Sequence, residues 1–221
     1  MNRFRSVRWS APLLVLANAF PLFGVFWLGW DTFEVMFLFW FENLVFGACS
    51  LLRIAAACGD RNPVYHWTKP VAMLGFAFPF GIFLIAHGQM TLTLLGEEKL
   101  GWRPGEWGPD FFGPPFYALR QLWPELGYSC VAVMASHGAS FLLNDLMGGG
   151  FQRTRVEEAM RLPYDRMVVP HLVMVFGVLA IEVAGSAAGL LALLVVVKTA
   201  ADLRAHLRQH RLPEAAVGDA A

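Results

Sequence analysis

Several ionisable side chains stand inside apolar runs of this sequence, where lipid excludes such groups unless they have a partner or a role. The last apolar run carries three of them, Lys198, Asp202 and His206, which recur every four residues and so share one helix face. Helical rise places His137 and His171, from two earlier runs, in the same half of a bilayer. Imidazole and carboxylate ligands suit zinc or iron. The spacing therefore predicts a divalent metal site with His137, His171, Asp202 and His206 as ligands.

Glu42 lies near the middle of the second apolar run, in the sequence Trp-Phe-Glu-Asn. An ionised carboxylate at this depth is costly unless it is protonated, hydrogen-bonded or coordinating. We expect Glu42 or Lys198 to act as a catalytic base beside the metal, whose open coordination position would activate water. His87 could pair with Glu42, although a histidine that bonds its neighbours in the core is the simpler interpretation.

Two other functions fit the same pattern. The protein could be a small proton- or solute-translocating subunit, because titratable groups staggered through the depth of a bilayer suit a relay. It could also be a structural or assembly subunit whose polar residues only hold helices together. In a translocating subunit, the residues lining the path of the proton or solute would be Glu42, His87, His137, Lys198 and Asp202.

Two further chemistries fit less well. A haem between His137 and His171 would need helix tilt to bring the two imidazoles to one depth. An intramembrane serine protease is excluded because Ser186 and His206 lie at opposite ends of the last apolar run. Whether the protein is an enzyme stays open from the sequence.

The composition shows what must position these residues. Of 221 residues, 57% are hydrophobic and only 15% are charged, with 19 Phe and 8 Trp. A domain of this size has too little interior to bury so much apolar surface, so we expect a lipid bilayer to cover the excess. Seventeen basic and seventeen acidic residues give no net charge, which argues against nucleic-acid binding.

The fold predicted is all-α: a polytopic transmembrane bundle of six spans in a single domain, residues 1–210, with a flexible cytoplasmic tail at 211–221. Thirteen Lys and Arg residues fall on one side of these spans and three on the other, which places both termini in the cytoplasm. The six runs of suitable length are Ala11–Trp30, Thr32–Arg53, Pro70–Leu95, Gln121–Met147, Met167–Glu182 and Ala187–Arg204.

Two connections between the spans have distinctive compositions. Gly96–Arg120, on the extracytoplasmic side, is rich in Trp, Phe and Pro. It is expected to lie at the membrane surface as an aromatic belt, or to bind a protein partner. Phe151–Leu162 alternates basic and apolar residues, which predicts a short helix on anionic cytoplasmic lipid.

The motifs carry a resemblance that covers most of the chain from the second span to Arg208. Taken together they are similar to a family of uncharacterised bacterial six-helix membrane proteins, classified as a domain of unknown function. The resemblance implies a helical bundle in a bacterial inner membrane and carries no reaction with it. The matching segments are Trp40–Asn43, Ser136–Phe141, Pro163 to His171 and Lys198 to His206.

Overall fold

The structure is a computed structural model. The chain divides into two compact units, residues 33–171 and residues 1–32 with 172–221, and most described residues belong to the first unit. No described residue lies in a strand, so the prediction of an all-α protein is confirmed for this part of the chain. The residues that the structure describes are 23, 25–27, 29–59, 64–103, 113–161, 164, 192–193, 195–197 and 199–200.

Three long helices form the first unit: α1, Thr32–Ala56; α2, Val64–Leu100; and α3, Gly113–Ser140. A π-helix, Phe141–Met147, continues α3, and a 3-10 turn, Gly150–Gln152, follows it. Contacts join the start of α1 to the end of α2, and the end of α1 to the start of α2. The helices α1 and α2 are therefore antiparallel.

Each of these helices, with the π-helix added to α3, is long and apolar enough to cross a membrane. They correspond to the second, third and fourth predicted spans. The first, fifth and sixth predicted spans fall almost wholly outside the described residues, and the count of six spans stays a prediction.

Local sequence explains the two ends of α1. Asp31 precedes the first helical residue and Glu34 stands in the first turn, where carboxylates favour the positive end of a helix dipole. Arg53 is in the last turn, where a cation is favoured. Beyond the last turn, the amides of Cys58 and Gly59 donate to carbonyls of the 150–154 segment, 2.8 and 3.0 Å away.

Aromatic and aliphatic side chains of all three helices fill the core at one end of the bundle. Trp40 Nε1 donates to the Leu84 carbonyl over 2.9 Å and so joins α1 to α2 inside this core. Its buried residues include Phe37, Trp40, Leu92, Leu122 and Cys130.

A second core lies at the opposite end, where α1 finishes. Here Val156 and Ala159, from the helical residues 156–161, pack against the ends of α1 and α2. This segment was predicted to lie on lipid, but its apolar side chains contact protein, because Val156 and Ala159 are buried against α1 and α2. The other buried members are Ile54, Ala57, Phe76 and Phe80.

The outward face of α2 carries large apolar side chains at helical spacing: Trp67, Val71, Leu74, Phe78 and Ile82. All five are exposed, Trp67 by 86% and Ile82 by 42%. A contiguous apolar face of this size is unfavourable in water, whereas hydrocarbon would cover it at no cost. This face supports the assignment of α2 as a membrane span.

The aromatic connection is shorter than the sequence predicted, because α2 continues to Leu100 and α3 begins at Gly113. Gly101 ends α2 with φ +61°, and its amide donates to the Glu97 carbonyl over 2.8 Å, as in an αL C-cap. Trp102 is buried in the core rather than placed at a membrane surface. The prediction of one continuous aromatic loop over 96–120 was therefore wrong at both ends.

Candidate functional site

The centre of the bundle holds an acid and an imidazole on facing helices. Glu42 on α1 and His137 on α3 lie with Oε1 and Nε2 3.6 Å apart, and their side chains are 32% and 20% exposed. The edge of the His137 ring also contacts the Phe46 ring, with centroids 6.0 Å apart. Two residues to which the sequence hypothesis gave different roles, a base and a metal ligand, thus meet in one place.

Helical rise places this pair near the middle of a bilayer. Glu34, in the first turn of α1, is eight residues before Glu42, or about 12 Å along the helix. Arg53, in the last turn, is eleven residues after it, or about 16 Å. A hydrocarbon core is about 30 Å thick, so a bilayer spanned by α1 from Glu34 to Arg53 would hold Glu42 and His137 near its middle.

A second ion pair follows on the same two helices, towards the end of α1. Arg53 Nε donates to Asp145 Oδ2 over 2.8 Å, and both side chains are less than a fifth exposed. The Arg53 guanidinium also stands over the Phe46 ring, 5.9 Å from its centroid. Phe46 therefore touches a member of each pair and separates the two.

The π-helix sets where Asp145 points. Around an unbroken α-helix, eight residues turn through about 800°, which would leave Asp145 about 80° away from His137. A π-helix takes one more residue into the turn, and the Gly148 amide accordingly donates to the Leu143 carbonyl, five residues back. The extra residue brings Asp145 to within about 20° of His137.

A third ionic group joins all three helices at the other end of the bundle. Lys99 Nζ, at the end of α2, lies 2.6 Å from Glu34 Oε1 on α1 and 2.9 Å from Glu125 Oε2 on α3. Ion pairs thus stand at both ends of α1, and the facing side chains of Glu42 and His137 lie near its centre. The two outer groups fall at the depths where a membrane gives way to water.

Most residues of the predicted metal site lie outside the described part of the chain: His171, Lys198, Asp202 and His206. Of that ligand set the structure describes only His137. Among described residues, no group of three or more His, Cys, Asp and Glu side chains is arranged to hold a metal ion.

His87 is a buried histidine in α2. Its Nδ1 lies 2.9 Å from the Phe83 carbonyl, and its ring packs on the Phe83 ring with centroids 4.3 Å apart. These contacts agree with the simpler interpretation of a core histidine. Its pairing with Glu42 stays a prediction.

Two residues of this arrangement were not singled out from the sequence, Arg53 and Asp145. Each stands near the end of a predicted span, where charged residues are ordinary. The available signal was their sign: an Arg at the end of one span and an Asp at the same end of another can pair. The π-helix that aligns them left no pattern in the apolar spacing.

The comparison with known proteins returns a family and nothing closer. No curated protein and no solved structure matches the chain. A family profile matches residues 1–219, nearly the whole length, including the segments around Glu42 and His137. The protein therefore belongs to the family of unknown function DUF6498.

Proposed function

We propose that this protein is a small proton- or solute-translocating subunit of a bacterial inner membrane, and that the Glu42–His137 pair is its mid-membrane binding site. In this proposal the chain has six spans in one domain, residues 1–210, a tail at 211–221, and both termini in the cytoplasm. Three membrane-length helices and the distribution of basic residues support this topology.

One observation carries the functional proposal: a carboxylate and an imidazole face each other 3.6 Å apart at the depth where each would be costly alone. Such a pair can hold one proton between two groups, or release it and bind a cation. Partial exposure of both side chains leaves them accessible to a small ion, in contrast to the aromatic core beside them.

Metal binding is a second candidate, because the facing oxygen and nitrogen atoms of Glu42 and His137 are donors of the right kind for zinc or iron. The further ligands would be His171, Asp202 and His206, with Lys198 as a base. Elemental analysis of the purified protein tests it, and we expect no stoichiometric metal if the translocation proposal is right. A chelator should then also leave the proton flux unchanged. Stoichiometric metal that is lost in His137→Ala would favour the metal site instead.

Proton flux into proteoliposomes tests the first proposal. Purified protein is reconstituted with a trapped pH-sensitive dye, and an imposed pH gradient drives the flux. We expect Glu42→Gln to reduce the flux at least about tenfold, since the amide keeps the shape but cannot ionise at neutral pH. Glu42→Asp should retain part of it.

Glu97→Gln is the matched control, because Glu97 is an exposed carboxylate near the end of α2 whose ion pair to Arg103 is also exposed. Its flux should equal that of the wild type. Unchanged flux in Glu42→Gln, with thermal stability also unchanged, would refute the proposal. Loss of stability without loss of flux would favour a structural or assembly subunit.

A further inference from the structure

We propose that Phe46, Arg53 and Asp145 form a gate between the Glu42–His137 pair and the Arg53 end of the bundle, and that the π-helix Phe141–Met147 controls it. The gate rests on the proposed function for what passes through it, but its existence can be tested by accessibility alone. The described structure shows the gate closed.

The closure consists of two layers on the facing sides of α1 and α3. Nearest the binding pair is the Phe46 ring, which contacts both the His137 ring and the Arg53 guanidinium. Beyond it, the 2.8 Å ion pair of Arg53 and Asp145 joins the two helices. A solvated ion leaving Glu42 towards this end would have to displace both layers.

The π-helix offers a simple way to open the second layer. Return of the segment to 3.6 residues per turn would rotate Asp145 by about 100° and carry its carboxylate away from Arg53. Arg53 stands in the last turn of α1, so its long side chain can then reach headgroups or water. Rearrangement of one helical turn therefore moves the Asp145 carboxylate away from Arg53 and opens the outer layer of the gate.

A native thiol lies between the two layers of the gate and reports on the opening of the outer one. Cys49 is buried on α1 between Phe46 and Arg53, and it interacts electrostatically with both Arg53 and Asp145. In the closed gate a charged, membrane-impermeant thiol reagent cannot reach it. Cys130 is buried in the core at the Lys99 end of the bundle, and it is the internal control for a general loosening of the structure. Exposed Cys58 is replaced by serine throughout.

The experiment measures labelling of Cys49 in inside-out membrane vesicles. We expect Arg53→Gln and Asp145→Asn each to raise the labelling rate at least about tenfold, because each shifts the population towards the open gate. The two substitutions have opposite electrostatic effects on the reactive thiolate, which a nearby cation favours and a nearby carboxylate disfavours. A rise in both variants therefore reports access and not thiol chemistry.

A charge swap and a deletion complete the test. Arg53→Asp with Asp145→Arg restores an ion pair, so protection of Cys49 should return. If Cys130 also reacts in the single variants, general loosening could explain their labelling, and the charge-swap variant then distinguishes loosening from opening of the gate. Deletion of the half-exposed Leu142 removes the extra residue of the π-helix. Asp145 then lies seven residues after His137 in an unbroken α-helix, within about 20° of it, so the ion pair with Arg53 is kept and the rotation that opens the gate is lost. We expect Cys49 to be labelled more slowly than in the wild type, because the open gate is then less populated.

Three results would overturn the gate: Cys49 labelling that stays at the wild-type rate in both single variants, labelling that moves in opposite directions in the two, or a swap that leaves Cys49 reactive. Labelling of Cys49 at or above the wild-type rate after deletion of Leu142 would overturn the role of the π-helix. Failure of the proposed function is separate, since it appears as unchanged flux in Glu42→Gln whatever the labelling shows.

Discussion

Single polar side chains hold this bundle together in places where water is not available to replace them. Trp40 illustrates the principle: its indole N–H reaches the Leu84 carbonyl on the next helix, 2.9 Å away, inside an otherwise apolar core. The Leu84 carbonyl gains a second partner, and the indole avoids burial without an acceptor. One side chain thereby fixes both the spacing and the register of α1 against α2.

Substitution of Trp40 by phenylalanine should lower the stability of the protein. The ring can still fill most of the space, but the hydrogen bond is lost, at a cost of about 1 kcal/mol in addition to the lost contact area. Thermal unfolding of the detergent-solubilised protein measures the effect. Trp123→Phe, at a 46% exposed position of α3, should leave the midpoint nearly unchanged, and equal effects in the two variants would contradict this account.

The sequence identified Glu42 as a residue that needs a partner but could not identify the partner. His87 and His137 are both on neighbouring predicted spans, and spacing within one helix gives no rotation of one helix against another. The structure resolves this by turning His137 towards α1. Asp145 could not be assigned at all, because its direction depends on the extra residue in the π-helix.

At the scale of helices, two glycines permit the close approach of neighbouring elements. A Cβ at Gly47 on α1 would collide with the Phe80 ring of α2. A Cβ at Gly88 on α2 would lie 2.7 Å from Pro115 of α3 and 2.9 Å from Trp40 Nε1. Small residues at such positions let membrane helices pack backbone against side chain, so these two contacts determine the interhelical distances.

Gly88→Ala should destabilise the bundle by about 1–3 kcal/mol, because Pro115 is rigid and α3 must shift to admit the methyl group. Gly81→Ala is the matched control on the same helix, since nothing lies within 4 Å of a Cβ there. It should be neutral or stabilising by up to about 1 kcal/mol, as alanine is the better helix former. Thermal unfolding compares the two, and a Gly88→Ala midpoint at or above that of Gly81→Ala would be inconsistent with close packing.

Apolar run length predicted the three described spans but not their ends. The predicted third span ends at Leu95, before Glu97, Glu98 and Lys99, yet α2 continues to Leu100. The charges are tolerated there because Lys99 pairs with Glu34 and Glu125 on the other helices. Such long-range pairing is a property of the assembled helices and leaves no mark on the local hydropathy.

At the scale of the whole molecule, the basic residues and the antiparallel helices agree. Arg53 and Lys69 stand at one end of the α1–α2 pair, the end where Lys69 Nζ donates to the Ala55 carbonyl. Arg153 and Arg155 follow the π-helix at that same end. Three helices with this alternation put the connection between α1 and α2 on the side that the positive-inside rule assigns to the cytoplasm.

Both termini should report from that same side if the proposed count of six spans is right, since six is an even number. Reporter fusions that are active only in the cytoplasm should be active at Met1 and Ala221, and a fusion after Arg103 should be inactive. Opposite sidedness of the two termini would show an odd number of spans. Activity of the fusion after Arg103 would reverse the orientation of α2.

The ionic groups at the two ends of α1 also limit the bilayer thickness that would suit the protein. Glu34 and Arg53 are about 28 Å apart along the helix, close to the hydrocarbon thickness of an ordinary bilayer. In lipids with longer chains, the Lys99 and Arg53 ion pairs would be drawn into hydrocarbon, so the bilayer would have to thin around the protein or the helices stand more upright. The stability of this bundle should therefore depend on the acyl-chain length of the lipid, and the protein should favour membranes of matching thickness.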